Sequence, residues 1–303
     1  MTGSSGLVGS ALVSALSRSG HTVCRLLRPD SVAGPSTEAL GIPLRWDPVT
    51  GALEGAAAGA EAVINLSGES IAGGRWSAER KEQLRASRVA ATRNLVTAVA
   101  RLEPRPKIFL SASAVGYYGN RGSEELTEAS EPGSDFLSGV AKEWEAEAAR
   151  AEAFGMRAVE LRFGVILARH GGALARMLTP FRFGLGGRLG SGRQWMSWLT
   201  LAEAVSIARF ALENQEARGP INAVSPQAVR NSEFTLVLAH ALGRPAVFPA
   251  PAFVLRLVLG EMADALLLSS QRVLPRRLTE LGYRFLHANL SSALSAALLG
   301  HLG

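Results

Sequence analysis

Three glycines open the chain at a fixed interval: Thr2-Gly3-x-x-Gly6-x-x-Gly9. Apolar residues follow at 7, 8, 11, 12, 15 and 16, one face of a helix. Glycines so placed before a helix permit a tight turn and let backbone N–H groups close on a pyrophosphate. The spacing alone is a weak signal, because small-residue turns are common. Its context strengthens it: Gly20 ends the helix and HTVCRLL (21–27) reads as a strand. The end of that strand reads the adenosine ribose in a dinucleotide site. An acidic residue there favours NAD, whereas an arginine suits the 2′-phosphate of NADP. The sequence has Leu27-Arg28-Pro29, so Arg28 points to NADP, a solvated surface arginine being the plainer reading. Asp30 keeps NAD open as the less favoured cofactor.

The elements that must carry these residues alternate. LRW (44–46) and AVINLSG (62–68) read as strands, the latter running into a small-residue loop. Ser77 is placed to cap a helix reaching about Ala100. KIFLSASAVG (107–116) is a buried strand entering a loop, Ser134 or Asp135 to Phe154 is helical, and MRAVELRFGVIL (156–167) is a strand plus loop. Continuous apolar strands alternating with helices predict an α/β fold: a Rossmann-like, doubly wound parallel sheet. Its ligand lies beyond the carboxyl ends of the strands, where NLSG, SASAVGYYG and RFG fall. Residues 1–225 form this expected domain, with glycine-rich cleft loops over 168–195, and 226–303 form a small, mainly helical domain on the substrate side. The strand that should precede the glycine turn is the central one. It would bury several apolar side chains at about 1.5–3 kcal/mol each, so a short Val/Ile-rich strand is expected upstream of Met1.

Composition narrows the classes. The 303 residues carry a net charge of +6 and are 47% hydrophobic, enough for a sizeable core. The arginines are spread without a nucleic-acid-binding motif, so no nucleic-acid partner is expected. A single cysteine, Cys24, excludes an intrachain disulfide and suits a reducing cytoplasm. No leader peptide is evident, and Phe253 to Leu268 is interrupted by Arg256, Glu261 and Asp264, so no membrane span is expected. The five histidines lack ligand spacing, and no metal is expected.

Several blocks together resemble a known family. They are TGSSGLVGSAL, VINLSGESIAGGRWSAERKEQLRASR, SASAVGYYGNRGSEELTE, DFLSGVAKEWE, LRFGVIL, PFRFGLGGRLGSGRQWMSW and PAFVLRLVLGEMADALLLSSQRVLPRRL, spread over almost the whole chain. The chain resembles the extended short-chain dehydrogenase/reductases, and within them the atypical, SDR39U-like epimerase-family branch with its own small C-terminal domain. The resemblance implies an NADP-dependent oxidoreductase or epimerase-like protein acting on an unidentified small molecule. It implies that Gly3, Gly6, Leu7 and Gly9 take the pyrophosphate and that Leu27 and Arg28 take the adenosine end. Leu66, Ser67 and Gly68 would line the adenine and nicotinamide-ribose side, Gln83 and Arg88 would add contacts, and Ile166 would lie against the nicotinamide.

The wider superfamily moves its proton with a tyrosine activated by a lysine in Tyr-x-x-x-Lys, helped by a serine. Ser113 matches the serine. The paired position falls in DFLSGVAKEWE, which has no tyrosine: Ser138 stands four before Lys142, or, aligned on Glu145, the slots are Leu137 and Ala141. Tyr117 and Tyr118 are nearby candidates for the lost acid, with aromatic packing as the other reading. Lys142 is a candidate for the ribose or a solvated helix residue. Arg162 suits either a structural carboxylate or a substrate anion. Trp195 and Trp198 flank the expected cleft, and Thr200 and Glu203 stand where many relatives have histidine and aspartate. The missing pair keeps a second function open, a non-catalytic NADP(H)-binding regulatory or scaffold protein.

Overall fold

The computed structural model describes residues 1–29, 41–53 and 59–299. Asp30 lies outside these. Six strands make the principal parallel pairings: β1 (Cys24–Leu27), β2 (Ile42–Arg45), β3 (Ala62–Asn65), β4 (Ile108–Ala114), β5 (Arg157–Phe163) and β6 (Gly219–Ala223). β1 pairs with β2, and β6-β5-β4-β3 run side by side. Met1 and Thr2 join the two groups. Thr2 N donates to Ile64 O (2.9 Å) and Leu26 N donates to Met1 O (2.8 Å). The order is therefore β2-β1-(Met1-Thr2)-β3-β4-β5-β6. Beyond Met1, a cavity of about 1050 Å³ separates β1 from β3, lined by Val23, Cys24, Ala62, Ile64 and Ile108 among others.

Alternation along the strands sends side chains to opposite faces. Ile64, Leu110, Val159, Leu161 and Ile221 pack with Leu12 and Leu16 of α1 (Leu7–Arg18) and Ile207 and Ala211 of α6 (Leu201–Glu213). Val63, Phe109 and Ala158 pack with Leu95 and Val96 of α3 (Val89–Val99) and Ala148 of α4 (Phe136–Ala149). Both faces are covered, as the continuous apolar strands predict.

The long helix expected from Ser77 is two helices. Ser77 caps α2 (Ala78–Ala86), its hydroxyl accepting from Arg80 N, and the chain breaks at Ser87-Arg88 before α3. The reason is Arg88, whose side chain turns inward to backbone carbonyls. Asp135 caps α4 by accepting from Ser138 N, and a 3₁₀ turn (Arg150–Phe154) completes the predicted element. The stretch expected as cleft loops contains a helix, α5 (Gly172–Arg182), because Leu174, Leu178 and Phe181 fall on one buried face. The C-terminal part is mainly helical, including α7 (Asn231–Leu242), α8 (Ala252–Leu259) and the helix Leu290–Leu299. It shares cores with the sheet: Leu278 and Tyr283 join the α1–α6 side. Among the described residues no helix is long and apolar enough to cross a membrane.

Candidate functional site

The glycine turn stands at the carboxyl end of the Met1-Thr2 segment, between β1 and β3. Gly3 has φ +64°, and a Cβ there would lie 2.4 Å from Leu66 O. A Cβ on Gly9 would lie 2.0 Å from Gly3 O, so only glycine lets α1 pack this closely on the turn. Gly6 heads α1 without a side-chain cap, and no acidic residue occupies the first turn. The helix start therefore presents free amide donors to an anion. Leu7 is half-buried there, against Gly171. Leu66 O and Ser67 N lie against Gly3 of this turn, and Gly68 stands over Arg88. Asn65 Oδ1 accepts from Thr2 Oγ1 (2.8 Å) and Ser67 Oγ (2.8 Å), and its amide donates to Thr92 Oγ1 (2.8 Å), which also receives Trp144 Nε1 (2.9 Å). This buried chain of bonds ties the turn to α3 and α4, and gives Trp144 a polar task beside packing.

Arg28 is exposed at the end of β1, 3.4 Å from Glu69 in the loop after β3, and Leu27 lies half-buried beside it. Arg88 is buried at the start of α3. Its guanidinium is buried beneath Gly68 and donates to Leu84 O (3.0 Å) and Glu69 O (2.8 Å). Burial pushes its pKa down to about 10. It braces the loop of residues 66–69 from below. Gln83 is exposed on α2, where it accepts from Arg80. Ile166 is half-buried on a short strand, Val165–Leu167, paired with Trp198–Thr200.

The second half of the site forms where β4 and β5 end beneath α4. Ser113 on β4 and Arg162 on β5 are register partners. Ser113 Oγ donates to Glu145 Oε1 (2.6 Å), and Arg162 grips the same carboxylate through Nε (2.8 Å) and Nη2 (2.7 Å). Burial opposes the charge on Arg162, but the bound carboxylate outweighs it and the group is held above its ordinary range. Arg162 Nη1 also donates to the Tyr118 hydroxyl (2.8 Å), which in turn donates to Asn222 Oδ1 (2.7 Å). Tyr118 is fully buried, and burial pushes it up to about 12. Tyr118, one of the two candidates for the lost acid, therefore has its hydroxyl engaged on both sides within the core. Tyr117 is half-buried, its ring 3.6 Å from the Arg162 guanidinium. Lys142 is exposed on α4, one turn after Ser138 and one turn before Glu145, and no hydrogen bond or ion pair joins it among the described residues. Trp198 is buried core, while Trp195 stands between Arg230 (5.1 Å) and Arg272 (4.8 Å).

Two carboxylates were not read as functional from the sequence. Glu145 appears there only as an alignment mark, although Arg162 was read as suiting a carboxylate. Glu160, on β5 below Arg162, is 3% exposed and its Oε1 has no hydrogen-bond partner. Burial, with the Glu145 charge second, pushes it up to about 8, so it is mostly protonated at neutral pH.

Comparison with known proteins agrees with this layout. The family model described as the NAD dependent epimerase/dehydratase family matches residues 1–224, and a domain of unknown function, DUF1731, matches 250–297. An epimerase family protein of Mycobacterium leprae is 40% identical over 298 residues, covering 98% of this chain and 94% of its own. The epimerase family protein SDR39U1 of Bos taurus is 36% identical over 299 residues, covering 96% of each. Among solved structures, human SDR39U1 (isoform 2), crystallised with NADPH, superposes with a TM-score of 0.88 at 33% identity, covering 99% of this chain and 98% of its own.

Proposed function

The chain belongs to the NAD dependent epimerase/dehydratase family, and we propose that it binds NADP(H) and acts as an oxidoreductase or epimerase-like enzyme on a small molecule. The observation that carries the cofactor reading is the pair formed by the uncapped glycine turn and Arg28. The turn offers backbone donors to a pyrophosphate, and Arg28 stands at the strand end where a 2′-phosphate lies. Leu66, Ser67 and Gly68 close the second side, and Ile166 the nicotinamide end. The NADPH in the crystal structure of human SDR39U1 supports the same choice. When bound, the cofactor supplies hydride exchange at its nicotinamide. Ser113 then stands nearest the chemistry, with Tyr117 beside it.

Fluorescence titration tests this reading. NADPH is expected to bind at least about tenfold more tightly than NADH, the worth of a charge-assisted hydrogen bond. Arg28→Glu should abolish or invert that preference. No binding of either nucleotide sinks the cofactor assignment, and equal binding sinks the role of Arg28.

The placement of Tyr118 favours a second reading, a non-catalytic NADP(H)-binding regulatory or scaffold protein, because its hydroxyl is committed to Arg162 and Asn222 within the core. Bound NADPH that stays reduced across a broad carbonyl panel, with NADP⁺ unreduced across the matching alcohols, would select it.

A further inference from the structure

We propose that a groove beside α1 is a second binding site, which takes a small aliphatic carboxylate. The groove encloses about 320 Å³. That is the small end of the range for ligand cavities, about 300–1,000 Å³. Its apolar walls are Leu7 and Ala11 of α1, Leu201 and Ala202 of α6, and Ala296 and Ala297 of the helix Leu290–Leu299. Three helices meet there largely through alanine methyl groups, and the space that longer side chains would fill stays open. The groove adjoins the glycine turn at Leu7 and runs along α1 as far as Ser14. Leu66, Ser67 and Gly68 do not line it, so it is separate from the proposed cofactor path.

The ionisable groups of the groove have one sign. Arg169, His170 and His287 line it, and no carboxylate does. The strands beneath bring them together. Val165–Leu167 and Trp198–Thr200 run parallel with Leu167 opposite Thr200, so Arg169 and His170 leave the sheet beside Thr200. Thr200 in turn holds His287, with Oγ1 and Nδ1 3.2 Å apart. Thr200 Oγ1 already accepts from Glu203 N (3.0 Å), and its hydroxyl proton is donated to Nδ1. The imidazole therefore keeps a proton on Nε2, a donor with no partner among the described residues. Arg169 spends Nη1 on Leu298 O (3.0 Å), and its other N–H groups have no partner among the described residues. Glu203 does not compete for these donors, because its oxygens accept from Tyr283 OH, Leu286 N and His287 N. An apolar slot with donors of one sign at its rim fits an anion that carries an alkyl chain. The carboxylate meets Arg169 and the imidazoles, and the chain displaces water from the alanine methyl groups.

The experiment titrates the full chain, without cofactor, by calorimetry. The probes are octanoate, butanoate, 1-octanol and octylammonium. Octanoate should bind at least about tenfold more tightly than 1-octanol, the worth of a charge-assisted hydrogen bond, and octylammonium should not compete with it. Butanoate should bind at least about tenfold more weakly, because each buried methylene is worth about fourfold in affinity. Ala296→Phe fills the groove and should abolish octanoate binding. Arg169→Gln should cut the preference for octanoate over 1-octanol at least about threefold. A purely structural role for Arg169, through Leu298 O, would shift both probes together and leave their ratio alone. The proposal is overturned if octanoate does not bind, or if any of the other three probes binds as tightly. Wild-type octanoate affinity in Ala296→Phe, or an unchanged ratio in Arg169→Gln, overturns it too. If Ala296→Phe does not fold, a diazirine analogue of octanoate cross-linked to the wild type and mapped by mass spectrometry decides. Label within 7–14, 201–202 or 296–297 supports the site, and label confined to other peptides overturns it.

Discussion

Glu160→Gln should make the protein more stable, by an amount that grows with pH. The Glu160 carboxyl is buried at the sheet, and its pKa rises from an ordinary 4.5 to about 8. Folding therefore binds a proton wherever the pH lies between those values, and stability falls as pH climbs through that window. Each pH unit is worth about 1.4 kcal/mol. The acid thus costs the fold about 1 kcal/mol at pH 5, about 3 at pH 7 and close to 5 by pH 9, where the loss levels off. Glutamine keeps the shape and cannot ionise. Urea denaturation of both proteins at pH 5, 7 and 9 should give curves that diverge by about 2 kcal/mol or more between pH 5 and pH 7. Parallel curves would refute the reasoning, because they would mean that Glu160 is charged or solvated in the folded protein.

Three further outcomes follow from named contacts. Tyr118→Phe removes a hydroxyl that serves both Arg162 and Asn222, and should cost about 1–3 kcal/mol in thermal or urea unfolding while NADPH affinity stays within about twofold. A selective loss of turnover at unchanged stability would instead return Tyr118 to the chemistry. Tyr283→Phe removes the 2.5 Å donor to the buried Glu203 carboxylate and should destabilise by about 1.5–3 kcal/mol, read by urea unfolding. Gly9→Ala places a methyl group 2.0 Å from Gly3 O, so NADPH binding measured by fluorescence should weaken by at least about tenfold; binding at wild-type strength would show that the turn yields.

The sheet was legible because its signals are local. Buried strands declare themselves by continuous apolar runs, and Ser77 and Asp135 mark helix starts by their own hydrogen bonds. The glycine turn was legible for the same reason. The Ser113–Glu145–Arg162 half was not, because its partners are far apart in sequence. Tyr118 looked available beside its glycines, yet Asn222, 104 residues away, accepts its hydrogen bond. Glu145 becomes a site residue only when β4 and β5 bring Ser113 and Arg162 to one carboxylate, 32 and 17 residues distant. The one advance signal was Arg162, a guanidinium at the end of an apolar strand that has to find a counter-charge.

Glu203 carries a consequence for how this chain can be inherited. Fully buried at the start of α6, it accepts from Tyr283 OH, Leu286 N and His287 N, all contributed by the C-terminal part. A sheet domain separated from that part would keep a carboxylate with its donors gone, and the C-terminal part would keep donors with no anion to meet. Recombination that swapped one part for an unrelated counterpart would thus be penalised at a single residue. The two regions matched by separate family models, 1–224 and 250–297, are thus tied together at this one carboxylate.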